Sequence, residues 1–245
     1  MKKLLVLIML IFSLLFLQAC DLVLSNESSE LKALRAKYQT FTKTDVSNPQ
    51  SFYDLMNDFT FNEQSSVFKV MKMERSIIPF QPNLEYGHAL LFTQDLHKFY
   101  LFTFYELVGE QSRWISYYAY DIYGYEFNVT VEFVSPEDHL AVISIPRNFK
   151  VYEHVEIATE MPFPGELLVS LGHQHPIANT QRLGVYLEKE NEHFISLTTG
   201  AFSQGRAVFN LQRKLIGLEM EQIDDQVLIF DFTKIQQFLD QYQNQ

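Results

Sequence analysis

The sequence predicts an all-β protein: two six-stranded antiparallel β-barrels of small size, with short N-terminal helices and a C-terminal helix. Three observations predict it. From about residue 65 the apolar positions change from helical spacing to a period of two. The runs that follow, about twelve in all, are short, rich in Phe, Tyr, Val and Ile, and separated by turn residues. The last run reverts to a helical stripe. Many short strands ending in one helix fit closed barrels, because closure removes exposed sheet edges.

Composition narrows the function classes. The chain has 245 residues, 47% of them hydrophobic, with only 9 Gly and 8 Pro, which excludes a disordered or low-complexity protein. The 22 Phe and 13 Tyr are read as barrel filling. Nineteen Lys and Arg face 30 Asp and Glu, for a formal charge of -11. A nucleic-acid partner is excluded, since such a partner needs clustered cations to neutralise phosphates. A single Cys excludes a disulfide framework and a multi-Cys zinc site.

The elements follow in chain order. Lys2 and Lys3 precede an uncharged apolar stretch, 4–17, too short and wrongly flanked for a stable spanning helix. Residues 1–19 therefore read as a signal peptide. It ends in Leu17-Gln18-Ala19-Cys20, which resembles a bacterial lipobox and implies lipidation of Cys20 as the mature N-terminus. Each buried CH₂ adds about 0.8 kcal/mol, so two or three acyl chains hold a protein at a membrane face. Removing the leader takes two lysines and no acid, so -11 becomes -13. That charge is repelled by anionic lipid, so the acyl chains do the anchoring. The expected location is the extracytoplasmic face of the cell membrane.

Residues 20–64 read as a tether with short helices. Leu31, Leu34 and Tyr38 share one helical face. Asn48 and Pro49 suit a helix start before Phe52, Leu55, Met56 and Phe59. Residues 65–245 form the main domain. The first barrel, about 66–147, takes its strands from a run beginning near 65 and from 88–93, 98–104, 113–121, 125–133 and 140–145. The second, about 148–232, takes 151–158, 166–171, 182–187, 193–197, 207–210, 214–218 and 226–232. The helix, 233–243, packs through Ile235, Phe238, Leu239 and Tyr242.

Four landmarks in this order resemble the trypsin-like serine proteases of the chymotrypsin double-barrel type, in particular the HtrA-like bacterial group. Gly87-His88-Ala89-Leu90-Leu91-Phe92, then Tyr100-Leu101-Phe102-Thr103, is similar to the strands that lead into the family's catalytic His. Leu140-Ala141-Val142-Ile143-Ser144-Ile145 is similar to the run after the catalytic Asp. Pro164-Gly165-Glu166 with Val169-Ser170-Leu171-Gly172, followed by Leu183-Gly184-Val185, resembles the start of the second barrel. Gly205-Arg206-Ala207-Val208-Phe209-Asn210 with Lys214-Leu215-Ile216-Gly217-Leu218 resembles the nucleophile loop and the strand beyond it. The resemblance covers roughly residues 66–242.

The resemblance implies a Ser nucleophile, a His base and an Asp that orients it. None stands in place. The positions carry Glu106, His139 and Gln204, and the Gly two residues before the nucleophile is Phe202. Asp138 and Ser203 are each one residue off, and in a strand a one-residue slip reverses the side chain's face. A carboxylate is a weak base near neutral pH, and a carboxamide is no nucleophile. The expectation is therefore a pseudoprotease that binds a peptide or protein. A serine endopeptidase using Ser203 and Asp138 is the alternative. The family's substrate strand implies peptide binding at Lys214, Leu215, Ile216, Gly217 and Leu218.

Three smaller features complete the reading. His173-Gln174-His175 has strand-alternate imidazoles but no visible third ligand, and reads as a solvated turn. Glu106 and His139 are expected to sit close, as a structural pair or as an acid/base pair. Glu219-Met220-Glu221 with Asp224 and Asp225 reads as a solvated acidic loop, or as a selector for a basic partner. No metal and no cofactor is expected.

Overall fold

The computed structural model describes residues 63–75, 82–174, 178–190, 192–197 and 202–244. All of them belong to the compact unit Asp54–Gln245. The leader, Cys20, both N-terminal helical stripes and His175 lie outside the described residues, as do the side chains of His173 and Gln174. Among the described residues, no helix is long and apolar enough to cross a membrane.

The fold is mostly β, in two sheets. A 3-10 turn, Glu63–Ser66, leads into β1 (Val67–Glu74), β2 (Asn83–Gln94) and β3 (Lys98–Phe104). After the short helix α1 (Tyr105–Val108) come β4 (Ile115–Tyr120), β5 (Glu126–Asn128), β6 (Thr130–Ser135) and β7 (Leu140–Pro146). Their order across the sheet is β5-β4-β1-β2-β3-β7-β6. The predicted strand 125–133 is split at Val129, because its two halves serve opposite edges. β5 pairs with β4, whereas β6 pairs with β7. Consecutive segments can occupy both edges only if the sheet curls, and β5 indeed lies against β7. The ladder stays open, giving a half-barrel in which the chain itself bridges the gap.

The second sheet contains β8 (Glu156–Ile157), β9 (Leu167–Gln174), β10 (Ala178–Lys189), β11 (Glu192–Leu197), β12 (Ala207–Asn210), β13 (Lys214–Ile223) and β14 (Gln226–Asp231). Six of these close a barrel, since β12 pairs with β9 on one side and β13 on the other. The predicted strand 151–158 shrinks to β8, which pairs parallel with β13 and stands outside the barrel. Its flanks are used differently. Tyr152, Val155 and Ala158 are buried, and Val155 and Ala158 donate N–H bonds to Leu91 and Leu215, one in each sheet.

Each sheet has its own apolar core. Phe68, Val70, Leu91, Leu101 and Ile143 lead the first, and Leu168, Tyr186, Ile195, Ile216 and Ile229 the second. Helix α2 (Phe232–Gln243) starts at Asp231, whose side chain accepts from the Thr233 and Lys234 amides. It buries Ile235, Phe238 and Leu239, three of its four predicted packing residues. Phe238 stacks on Phe133 at 5.7 Å and Tyr242 meets Phe92 at 6.1 Å, so the helix packs on the first sheet.

Candidate functional site

A small cleft of about 70 Å³ opens where β2, β3 and α1 meet the 204–205 turn. Glu85, Tyr86, His88, Phe104, Glu106 and Gln204 are among its walls. Its position follows from strand pairing. β3 and β7 are in register from Lys98↔Pro146 to Phe104↔Leu140, so the residues just after 104 and just before 140 must be neighbours. The Tyr105 amide donates to the His139 carbonyl at 2.9 Å, and His139 Nδ1 donates to Glu106 Oε1 at 2.6 Å. His139 reaches Glu106 from a left-handed backbone, φ 57°, that ends the Pro136–His139 turn. His is among the residues that tolerate this region best. Both partners remain about half exposed.

The predicted positions 106 and 139 are thus in contact, and Gln204 lines the same cleft. Gly205 holds φ +81°, and its amide donates to the Glu219 carbonyl at 2.8 Å, fixing the turn. Ser203 does not line the cleft, and among the described residues no histidine meets its hydroxyl. His88, His139 and His193 direct ring nitrogens to Gln204, Glu106 and Tyr186 instead. Asp138 accepts from Ser135 at 2.5 Å within its own turn.

Sequence reasoning missed His88. It is buried at the cleft floor, with Nδ1 donating to the Gln204 carbonyl at 3.2 Å. Gly172 lets β9 approach it, because a Cβ there would lie 2.7 Å from His88 Nε2 and 2.8 Å from Arg206 Cγ. Lys69, the cross-strand partner of His88, is also buried, with its ammonium 4.1 Å from the Tyr86 ring centroid. Burial lowers its pKa. At the rim Lys72 bridges Glu85 and Glu110, at 3.1 and 2.8 Å, and its ammonium holds the Glu110 carboxyl below the usual range.

One expectation is corrected. Glu219 is not in a solvated loop. β13 runs on to Ile223, and Glu219 is fully buried among charges. Arg182 donates to both its oxygens, at 2.6 and 2.5 Å, and Ser170 Oγ donates to Oε1 at 2.5 Å. Arg206 joins through Ser170 Oγ at 3.1 Å and the Thr180 carbonyl at 2.7 Å. Burial first, then the charge of Arg182, push the Arg206 guanidinium down to about 10. Glu221, Asp224 and Asp225 are exposed as expected.

Lys214–Leu218, the strand the resemblance assigns to peptide, lies in the second barrel as part of β13. Leu215, Gly217 and Leu218 are paired on both sides: Leu215 with Phe209 and Ile157, Gly217 with Val208 and Asp231, Leu218 with Ala207 and Phe230. Those partners come from β8, β12 and β14, while Lys214 pairs with Glu156 of β8. Fold and cleft together define an all-β protein of one half-barrel sheet and one closed barrel, with a cleft of mixed polarity where the two sheets meet. No protein-family model matches the chain, and no curated protein sequence matches it.

Proposed function

We propose that this is a lipid-anchored protein of the cell envelope whose double barrel is of the trypsin-like type, lacks a working triad, and binds a peptide or protein. One observation carries the reading. Of the positions that resemble the family's base, orienter and nucleophile, Glu106 and Gln204 line one cleft and His139 bonds to Glu106. A carboxylate bonded to an imidazole retains the architecture of a dyad with its roles exchanged, and the residue in the nucleophile's place is a carboxamide that cannot attack a carbonyl. The cleft, rather than β13, is then the surface offered to a partner. The anchor rests on Leu17-Gln18-Ala19-Cys20.

The chemistry is tested with the purified mature chain. It should cleave no peptide and take no label from serine-directed phosphonates, which need an activated nucleophile. Stoichiometric labelling that disappears in Ser203→Ala would establish the endopeptidase instead. The anchor is tested separately. Cys20→Ser should leave the precursor uncleaved or release the protein, and unchanged size and membrane association would remove that part of the reading.

A further inference from the structure

One surface feature is used by neither core nor cleft. Phe149 and Val151 are 87% and 86% exposed, and Tyr123 and Tyr125 are 56% and 48% exposed. They form one cluster, because Lys150 Nζ lies 4.7 Å from the Tyr123 ring centroid, 5.5 Å from Tyr125 and 5.8 Å from Phe149. The two loops that carry them are braced from below. The buried Asp121 carboxylate accepts from the Tyr123 and Tyr125 amides at 2.9 and 2.8 Å, and from the Tyr152 hydroxyl at 2.7 Å. Asn148 donates to the same hydroxyl at 3.0 Å and accepts from the Lys150 amide at 2.9 Å. The rings are thus held out in water by a fixed frame, an arrangement with no packing purpose of its own.

We propose that this cluster seats the domain on a lipid bilayer surface, an inference that rests on the reading of Cys20 as a membrane anchor. Two further observations favour lipid over other occupants. The first is where the chain joins the fold. Ser65 Oγ accepts from the Glu153 amide at 3.0 Å, so the segment leading back to Cys20 meets the domain two residues from Val151. Forty-two residues separate Cys20 from Glu63. Fully extended, that length reaches on the order of 150 Å, so the tether alone sets no orientation. The second is the chemistry of the cluster: Lys150 stands among the exposed rings, with the exposed Glu126 and Glu153 at its margin. Aromatic rings with a lysine that reaches the headgroups are the chemistry of the membrane interface. The rings and the Lys150 stem then enter the interface, while the acidic remainder of the surface stays turned away from an anionic leaflet.

The test uses the mature chain from residue 20 with Cys20→Ser, held on vesicles by an N-terminal polyhistidine tag and a nickel-chelating lipid. The outcome then does not depend on native lipidation. Phe149→Cys supplies a unique thiol for an environment-sensitive nitrobenzoxadiazole dye, and Leu96→Cys, in a loop 82% exposed, supplies the control. On phosphatidylethanolamine–phosphatidylglycerol vesicles, emission from position 149 should shift to the blue and be quenched by nitroxide lipids. Position 96 should do neither, and Val151→Glu should abolish the response at 149. Water-like emission at 149 on tethered protein overturns the proposal, as does equal quenching at 149 and 96. A protein crosslinked in cells to a photoreactive group at 149, with no lipid quenching, would assign the cluster to a protein partner and overturn it as well. Failure of the anchor alone appears in the Cys20→Ser fractionation and leaves this measurement intact.

Discussion

The two sheets bury apolar cores of similar character, yet they are closed by different means. The second barrel closes through hydrogen bonds, and the strand that completes it, β12, is only four residues long. Arg206, immediately before that strand, reaches Ser170 on β9 and Thr180 on β10, while Glu219 on β13 holds Arg182. The first sheet is bridged covalently at Val129 and, among the described residues, has no comparable internal network of buried opposite charges. Its ion pairs sit near the surface: Lys72 with Glu85 and Glu110, Lys98 with Glu132, and His139 with Glu106. A short strand closed by hydrogen bonding is pinned by buried side chains, whereas a covalent bridge needs no pin.

The comparison breaks most visibly at Glu219. Glu219→Ala removes the buried carboxylate that Arg182 holds and Arg206 faces, and should cost about 3–5 kcal/mol in urea unfolding. Lys98→Met, which breaks a surface pair of the first sheet, should cost less than about 1 kcal/mol. Equal losses would show that burial of the network does not matter to closure.

Alkaline titration sharpens the contrast. Burial, with the nearby Glu188 and Asp231 carboxylates, pushes the Tyr186 phenol up to about 12, and its hydroxyl meets His193 Nδ1 at 2.6 Å. The folded state therefore keeps a proton that the unfolded chain loses near pH 10. The stability this provides is present below pH 10 and is lost as pH rises through 12. Relative to Tyr186→Phe, the wild type should lose roughly 2 kcal/mol between pH 10 and 12. Arg206 titrates with the opposite sign in that range, but it is common to both proteins and cancels in the difference. A pH-independent difference would place the phenol in contact with water.

The smallest effect is expected at the cleft. Glu106→Gln and His139→Ala, taken as a double-mutant cycle, should couple by less than about 1 kcal/mol, because both groups are half exposed. A larger coupling would make the pair part of the scaffold rather than of the site.

Much of the fold was legible because strands leave a period of two. The runs 98–104 and 207–210 coincide with β3 and β12. What escaped was set by tertiary pairing. Helix α1 was hidden because Tyr105-Glu106-Leu107-Val108 continues the aromatic and aliphatic character of β3. The break at Val129 reflects a change of partner strand, which no local pattern announces. At the site, the approach of Glu106 to His139 was readable only through landmark order, since 33 positions separate them. His88 carried no signal beyond its place in an alternating strand. Glu219 was misplaced because an acid between apolar residues looks like a strand's end until its buried arginines are known.

Val129 has one further consequence. It joins β5 and β6, the two edges of an open ladder, and so keeps those edges close together. A nick or an insertion at that residue would remove no core side chain and no ion pair. It would let the curl relax and present two unpaired strands to other molecules, the template on which edge-to-edge aggregation grows. Solubility of the first sheet therefore depends on chain continuity at one residue, which also packs against its core.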